Sequence, residues 1–247
     1  MKQNIKSPMV DDEESDLDNL KKKRQKKLLN RLYDVTTIEP MTNNQAKCFD
    51  FWRNGKNLMM YGSAGSGKTF LAIYFALQEL KLGKTESIYI VRSAVPTREQ
   101  GFLPGSLAEK MAMYEVPYRD IFKTLTNRGD VYDILKEKGL YEFMSTSYIR
   151  GMTIDNAVII VDEFSNLTLH ELDSIITRVG LNSRIIFCGD TKQSDLSKKN
   201  ERDGVETFMN IINMMPSFRS VQFSIDDIVR SGLVREYLLA RHKYENS

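Results

Sequence analysis

Twelve residues in the first third of the chain hold its most explicit chemistry: Leu58-Met59-Met60-Tyr61-Gly62-Ser63-Ala64-Gly65-Ser66-Gly67-Lys68-Thr69. Gly62, Gly67, Lys68 and Thr69 meet the pattern G-x-x-x-x-G-K-[ST]. The glycines, Gly65 among them, let a backbone wrap a chain of phosphates where a Cβ would block the approach. The N–H groups of Gly62, Ser63, Ala64, Gly65, Ser66 and Gly67 would face the anion, together with the helix N-terminus that follows. Lys68 supplies a point charge for β- and γ-phosphates, and the Thr69 hydroxyl is a ligand for Mg²⁺. This is nucleotide-binding chemistry.

Three further places carry groups that suit such a site. Asp162-Glu163 ends a fully apolar run, Ala157 to Val161. Asp162 can hold Mg²⁺ directly or through water, and Glu163 can orient and polarise an attacking water. The alternative is that both acids cap a helix starting near Thr168. Gly189-Asp190-Thr191-Lys192-Gln193 ends another apolar run, and Gln193 can bond a γ-phosphate or the water. Gln45 lies seventeen positions before Gly62. Its amide offers the donor and acceptor that pair with the N6 and N7 edge of adenine, or it is a surface glutamine.

These groups need a parallel sheet to line them up, because ligands bind at the carboxyl ends of its strands. Short apolar runs read as buried strands at Leu58–Tyr61, Ser87–Arg92, Tyr141–Ser145, Ala157–Val161, Arg184–Cys188 and Ser220–Phe223. Between them the spacing predicts helices from near Asn43, capped by Thr42, and over Phe70–Leu82. Further helices are expected over Ser106–Tyr114, Pro117–Thr126, Val131–Lys138, Leu169–Val179, Gly204–Met215 and Asp226–His242, the last carrying Arg230 and Arg235. Arg150-Gly151-Met152-Thr153 reads as a turn, and Lys198, Lys199 and Arg202 as a polar loop.

Composition bounds the rest. The 247 residues suit one α/β domain with some decoration, and a net charge of +2 is ordinary for a soluble protein. No apolar run approaches a membrane span or a signal peptide, and two distant cysteines, Cys48 and Cys188, make neither a disulfide framework nor a zinc site. A reducing cytoplasm fits. Residues 1–32 hold nine basic and six acidic side chains, and read as a charged flexible arm ahead of a domain over 33–247. Lys21, Lys22, Lys23, Arg24, Lys26 and Lys27 are either solvated or set to hold phosphates of a nucleic acid.

With these pieces laid out, the chain resembles the PhoH-like family of P-loop ATPases over about residues 41–241. The resemblance rests on the P-loop, Gly101-Phe102-Leu103-Pro104-Gly105 with Glu109-Lys110, Tyr148-Ile149-Arg150-Gly151-Met152-Thr153-Ile154 and Val161-Asp162-Glu163 with Asn166. It continues through Thr177-Arg178-Val179-Gly180, Gly189-Asp190 with Gln193 and Asp195-Leu196, and Asp227-Ile228-Val229-Arg230 with Leu233-Val234. It implies an α/β P-loop NTPase fold with a parallel sheet like RecA and superfamily-one helicases, flanked by helices. The strand ending in Gly189 would lie between the P-loop strand and the Asp162 strand.

The resemblance also implies activity, ligands and partners: hydrolysis of ATP with Mg²⁺, acting on single-stranded RNA or DNA. The chain looks like compact versions carried by bacteriophages, which would place it in a host cytoplasm, and a homo-oligomeric ring of six is the assembly the family suggests. The loop from Arg92 to Gly105 resembles the strand-contacting loop of helicases, with Arg92 and Arg98 for phosphates and Phe102 for a base, or for the core. Arg150 is a further candidate contact. Val229-Arg230-Ser231 resembles the helicase segment whose arginine reaches the γ-phosphate, with Arg150 and Arg178 as alternatives and surface ion pairing possible for all three. Two departures bear on coupling to a strand: Phe164-Ser165 stands where the family more often has Ala-Gln, and Met152 where it often has a basic residue. A nucleotide-gated binding module with little turnover is the alternative function, and a small-molecule P-loop kinase, which needs an acceptor pocket and an Arg-rich lid, is a more remote one.

Overall fold

The computed structural model describes residues 29, 32–93, 107–190 and 199–245, with the side chains of 107–111, 199–202 and 245 excepted. Six parallel strands form one sheet: β1 (Asn57–Gly62), β2 (Ser87–Arg92), β3 (Tyr141–Ser145), β4 (Ala157–Asp162), β5 (Arg184–Gly189) and β6 (Phe218–Phe223). Their spatial order is β3-β2-β4-β5-β1-β6, so β5 lies between the P-loop strand and the Asp162 strand as the resemblance implies. Each apolar run of the sequence is a strand, with ends shifted by at most two residues.

Side-chain alternation along the strands divides the core into two layers. Leu58, Met60, Ile88, Ile90, Val158, Ile160, Ile186 and Cys188 face the helices α1 (Asn43–Arg53), α2 (Lys68–Leu82), α3 (Leu107–Thr126) and α4 (Val131–Glu137). Met59, Val91, Ile159, Val161, Ile185 and Phe187 face α5 (Leu169–Ile176) and α6 (Lys199–Met214) on the other side. With both faces covered, β4 is buried along its whole length. Truncating a fully buried residue such as Ile160 to Ala costs about 2–5 kcal/mol. The same alternation decides the site: Arg92 and Asp162 continue the even-numbered rows of β2 and β4, and so turn toward α2 and α3.

Local rules account for the helix ends. Thr42 caps α1 by accepting from Gln45 N–H. Thr168 and Glu171 form a reciprocal capping box at α5, so the acids at 162 and 163 are not its caps. Gly83 closes α2 in the left-handed region.

Several boundaries differ from expectation. The two helices expected over 106–126 are one, α3, with Pro117 inside it. Pro117 leaves the Met113 carbonyl without a helical donor, and Met113 and Val116 are exposed, so water can satisfy it. Helix α6 begins at Lys199, which places Lys199 and Arg202 on a helix instead of a loop. The last helix, α7 (Gly232–Glu245), starts six residues late: Ser224 caps a short 3₁₀ turn at Ile225–Asp227, and Arg230 sits in the connection. Helix α5 stops at Ile176, because Val179 pairs with Ile154 as an isolated bridge. Leu29, inside the stretch assigned to the arm, is fully buried in the α1–α4 layer, so the packed body reaches back at least that far.

At the edge opposite the P-loop, Arg184 holds three elements together. Its guanidinium lies 3.2 Å over the Trp52 ring, donates to the Trp52 and Lys56 carbonyls at 2.8 Å each, and pairs with Glu79 of α2 at 3.3 Å. Burial lowers its pKa to about 10, with Glu79 opposing. Arg184→Ala should therefore destabilise the protein by about 2 kcal/mol or more, since two carbonyls lose charged donors and Glu79 is left behind. Urea denaturation checks this, and nucleotide affinity should stay unchanged because the site is at the far end of the strands.

Candidate nucleotide site at the strand ends

The strand ends form a row. Register pairs Ser145 with Arg92, Arg92 with Asp162, Asp162 with Cys188, Tyr61 with Gly189, and Gly62 with Phe223. The P-loop springs from β1 within this row. Gly62 has φ 110°, and a Cβ there would lie 2.1 Å from the Phe223 carbonyl oxygen, so only glycine allows β6 this close. Ser63 N–H donates to the same carbonyl at 3.0 Å. Gly189 is crowded too, though less severely: its Cβ would meet the Phe164 ring at 2.8 Å.

Lys68 opens α2 and folds back into the loop. Its Nζ donates to the Gly62 and Ser63 carbonyls, both at 2.8 Å, and to Ser66 Oγ at 3.3 Å. Burial pushes its pKa below the usual lysine value, while Cys188, Asp190, Glu163 and Asp162 nearby work against that shift. Gln45 is buried and braces the loop from α1: Nε2 donates to the Ser66 carbonyl at 3.0 Å, and Oε1 accepts from Met41 N–H at 2.8 Å. In this arrangement Gln45 engages protein backbone with both ends of its amide.

Asp162 and Thr69 meet directly. Thr69 Oγ1 donates to Asp162 Oδ1 at 2.9 Å, from segments 93 positions apart. Two adjacent hard oxygen donors beside a phosphate loop suit Mg²⁺, which takes one or two protein oxygens and completes its octahedron with phosphate and water. Among the described residues no group of three or more acidic, His or Cys side chains could hold a metal alone. The Thr69 and Asp162 oxygens fit the ion.

Glu163, the next residue, has φ 55° and ψ 40°. The left-handed region is uncommon for a non-glycine residue, and the strain is of order 1 kcal/mol or more. The backbone turns there and carries the carboxyl out of the strand. Burial raises the Glu163 pKa above the ordinary glutamate value, and the neighbouring Asp162 adds to the rise; Arg92 and Lys68 oppose it. A carboxyl tuned upward beside a phosphate loop is suited to act as a base.

The segment after β6 returns over the P-loop. Val229 N–H donates to the Gly65 carbonyl at 3.1 Å. A Cβ on Gly65 would lie 3.0 Å from Arg230 Cγ and 3.5 Å from Leu238 Cδ1 of α7. The Arg230 stem thus packs on its own P-loop, while its residue as a whole is exposed.

Arg92 is half-buried and turned into the molecule, 5.4 Å from the Tyr114 ring centroid. Arg150 is exposed beyond β3, and β3 lies four strand spacings, about 19 Å, from β1. Arg178 is half-buried and donates to the Ser174 carbonyl. Arg98, Phe102, Gln193 and the lysines of the arm fall outside the described residues. One participant is absent from the expectations above. Tyr118 Oη donates to Asp162 Oδ2 at 2.8 Å. Its spacing with Phe122 and Leu125 reads as a core stripe, and so it is, except for the hydroxyl at its tip. Burial raises its pKa well above the usual tyrosine value, reinforced by the Asp162 carboxylate.

Among the described residues no helix is long and apolar enough to cross a membrane. The chain is 32% identical over 210 residues to a PhoH-like protein of Mycobacterium leprae (strain TN), covering 85% of this chain and 60% of that protein. It is 34% identical over 183 residues to a PhoH-like protein of Bacillus subtilis (strain 168), covering 74% and 57%. It therefore spans less than two thirds of the length of these relatives. A solved large terminase from a thermophilic bacteriophage superimposes with a TM-score of 0.50 at 13% identity, over 82% of this chain and 49% of the terminase, which is a likeness of fold. The model of the family described as PhoH-like protein matches residues 37–241, and this chain belongs to that family.

Proposed function

We propose that the protein is a Mg²⁺-dependent ATPase acting on single-stranded RNA or DNA. The observation that carries the reading is the direct contact of Thr69 with Asp162, next to Lys68 and a strained Glu163. Thr69 and Asp162 would hold the ion, whose charge offsets that on the β- and γ-phosphate oxygens. Lys68 would exchange the Gly62 and Ser63 carbonyls for phosphate oxygens, so its present bonds are those that nucleotide replaces. Glu163 would orient the attacking water and accept its proton, a role worth roughly 10²–10⁴ in rate. Arg230 would extend from its seat on Gly65 to the charge that builds on the γ-phosphate. The position of its stem supports action within its own subunit.

Assembly is proposed through α7. Leu233, Val234, Tyr237 and Tyr244 of that helix are exposed, and the helix adjoins the P-loop through Leu238. A second copy covering this face, repeated around a closed ring, would give every site the same neighbour. A second reading, a nucleotide-gated binding module with slow turnover, draws support from Phe164 and Ser165. Both are fully buried, with the Phe164 ring against Phe187, so neither side chain is presented to a strand.

Phosphate release with and without single-stranded RNA or DNA tests the function. Wild type should hydrolyse ATP, faster with a strand present; Lys68→Ala should lose turnover, and Glu163→Gln should retain binding while losing about 10²-fold or more of the rate. Normal turnover by Glu163→Gln would refute the assignment. The raised pKa of Glu163 gives a second prediction, with a definite sign. A carboxyl whose folded pKa exceeds its unfolded value favours the fold only while protonated, and that contribution is lost as pH rises through the folded pKa. Glu163→Gln should therefore be more stable than wild type at neutral pH, and the gain should shrink as pH falls toward the unfolded pKa; denaturation midpoints across pH measure it. A third concerns Arg230: mixtures of Lys68→Ala and Arg230→Ala subunits should stay inactive if the arginine serves its own site, whereas regained activity would show that it serves a neighbour's.

A further inference from the structure

The two oxygens of the Asp162 carboxylate have different partners. Oδ1 accepts from Thr69 Oγ1 at 2.9 Å and Oδ2 from Tyr118 Oη at 2.8 Å. Tyr118 is 1% exposed, and its ring packs on Phe143 at 5.5 Å between centroids, so the phenol has one place to be. The positive charge of the Arg92 guanidinium acts on it from nearby. A phenol has a single proton, and Tyr118 gives it to Asp162 Oδ2. Such hydrogen bonds to a carboxylate are charge-assisted and directional.

The strands bring these groups together. Arg92 and Asp162 are register partners at the ends of β2 and β4, on the face that α3 covers. With Oδ2 held toward α3, Oδ1 is the oxygen left beside Thr69.

We propose that Tyr118 is a positioning residue that selects Asp162 Oδ1 as the oxygen facing the metal. The proposal rests on the Mg²⁺–ATP reading above and adds what aims the ligand. A purely structural hydroxyl would affect stability and leave the metal requirement alone; one that aims a ligand changes the metal requirement itself, by about 10-fold in comparable outer-shell positions.

The test measures binding of a fluorescent ATP analogue to the full chain, first with EDTA and then over a Mg²⁺ titration. Tyr118→Phe keeps the ring and removes the hydroxyl. Its affinity in EDTA should match wild type, while the Mg²⁺ concentration giving half of the metal-dependent gain should rise about 10-fold. Thermal melts confirm that Tyr118→Phe, which keeps the buried ring against Phe143, is folded. An unchanged Mg²⁺ midpoint in Tyr118→Phe, or an equal loss with and without metal, overturns the proposal. Wild type that binds nucleotide with no response to Mg²⁺ would overturn the site reading itself, and the proposal with it.

Discussion

The hydrogen bond from Thr69 to Asp162 is the constraint on which the site depends. It joins the first turn of α2 to the end of β4 at 2.9 Å, although β5 lies between β4 and the strand that leads into α2. That geometry requires α2 to cross back over the sheet, and the buried face of α2 supplies the reason. Leu71, Ala72, Phe75, Ala76 and Leu80 pack into the same layer as Ile160 and Ile186. Hydrophobic burial fixes the helix, the helix fixes Thr69, and the register of β4 with β5 fixes Asp162 opposite Cys188. The polar contact is then formed between groups already in place, at little further entropy cost.

A site built this way concentrates unfavourable local features that its surroundings must hold. Glu163 occupies a left-handed conformation, Lys68 is buried with its charge, and Gly62 and Gly189 give up side chains to admit Phe223 and Phe164. Each is destabilising in isolation. Each also lies at the carboxyl edge of the sheet, while the other edge is held by Arg184, Trp52 and Glu79. Stability and chemistry are thereby set against each other along the strands: one end holds the fold, and the other bears the strain of the site.

The sheet is legible in the sequence because its strands are buried on both faces and read as unbroken apolar runs, and the P-loop because its glycines are obligatory. Asp162 and Glu163 follow from their place after such a run. The helix limits are harder. Pro117 suggests a break, yet Met113 and Val116 beside its missing bond are exposed and the helix continues. The C-terminal helix looks longer in sequence because Ser224 and Asp227 favour a local 3₁₀ cap that spacing alone does not reveal. Gln45 stands out for its amide, but its contact with the Ser66 carbonyl joins residues 21 apart and arises only from packing. Tyr118 is hidden by its own ring: an aromatic at helical spacing reads as core, and the partner of its hydroxyl lies 44 positions away.

The strand ends are proposed to form one Mg²⁺–ATP hydrolysis site. A crystal structure with ADP, Mg²⁺ and aluminium fluoride tests it most directly. The expected result is the diphosphate within the Gly62–Thr69 loop, the metal ion against Thr69 and Asp162, the fluoride group contacted by Lys68, and a water between that group and Glu163. Nucleotide bound elsewhere, or a metal ion coordinated without Thr69 and Asp162, would contradict it.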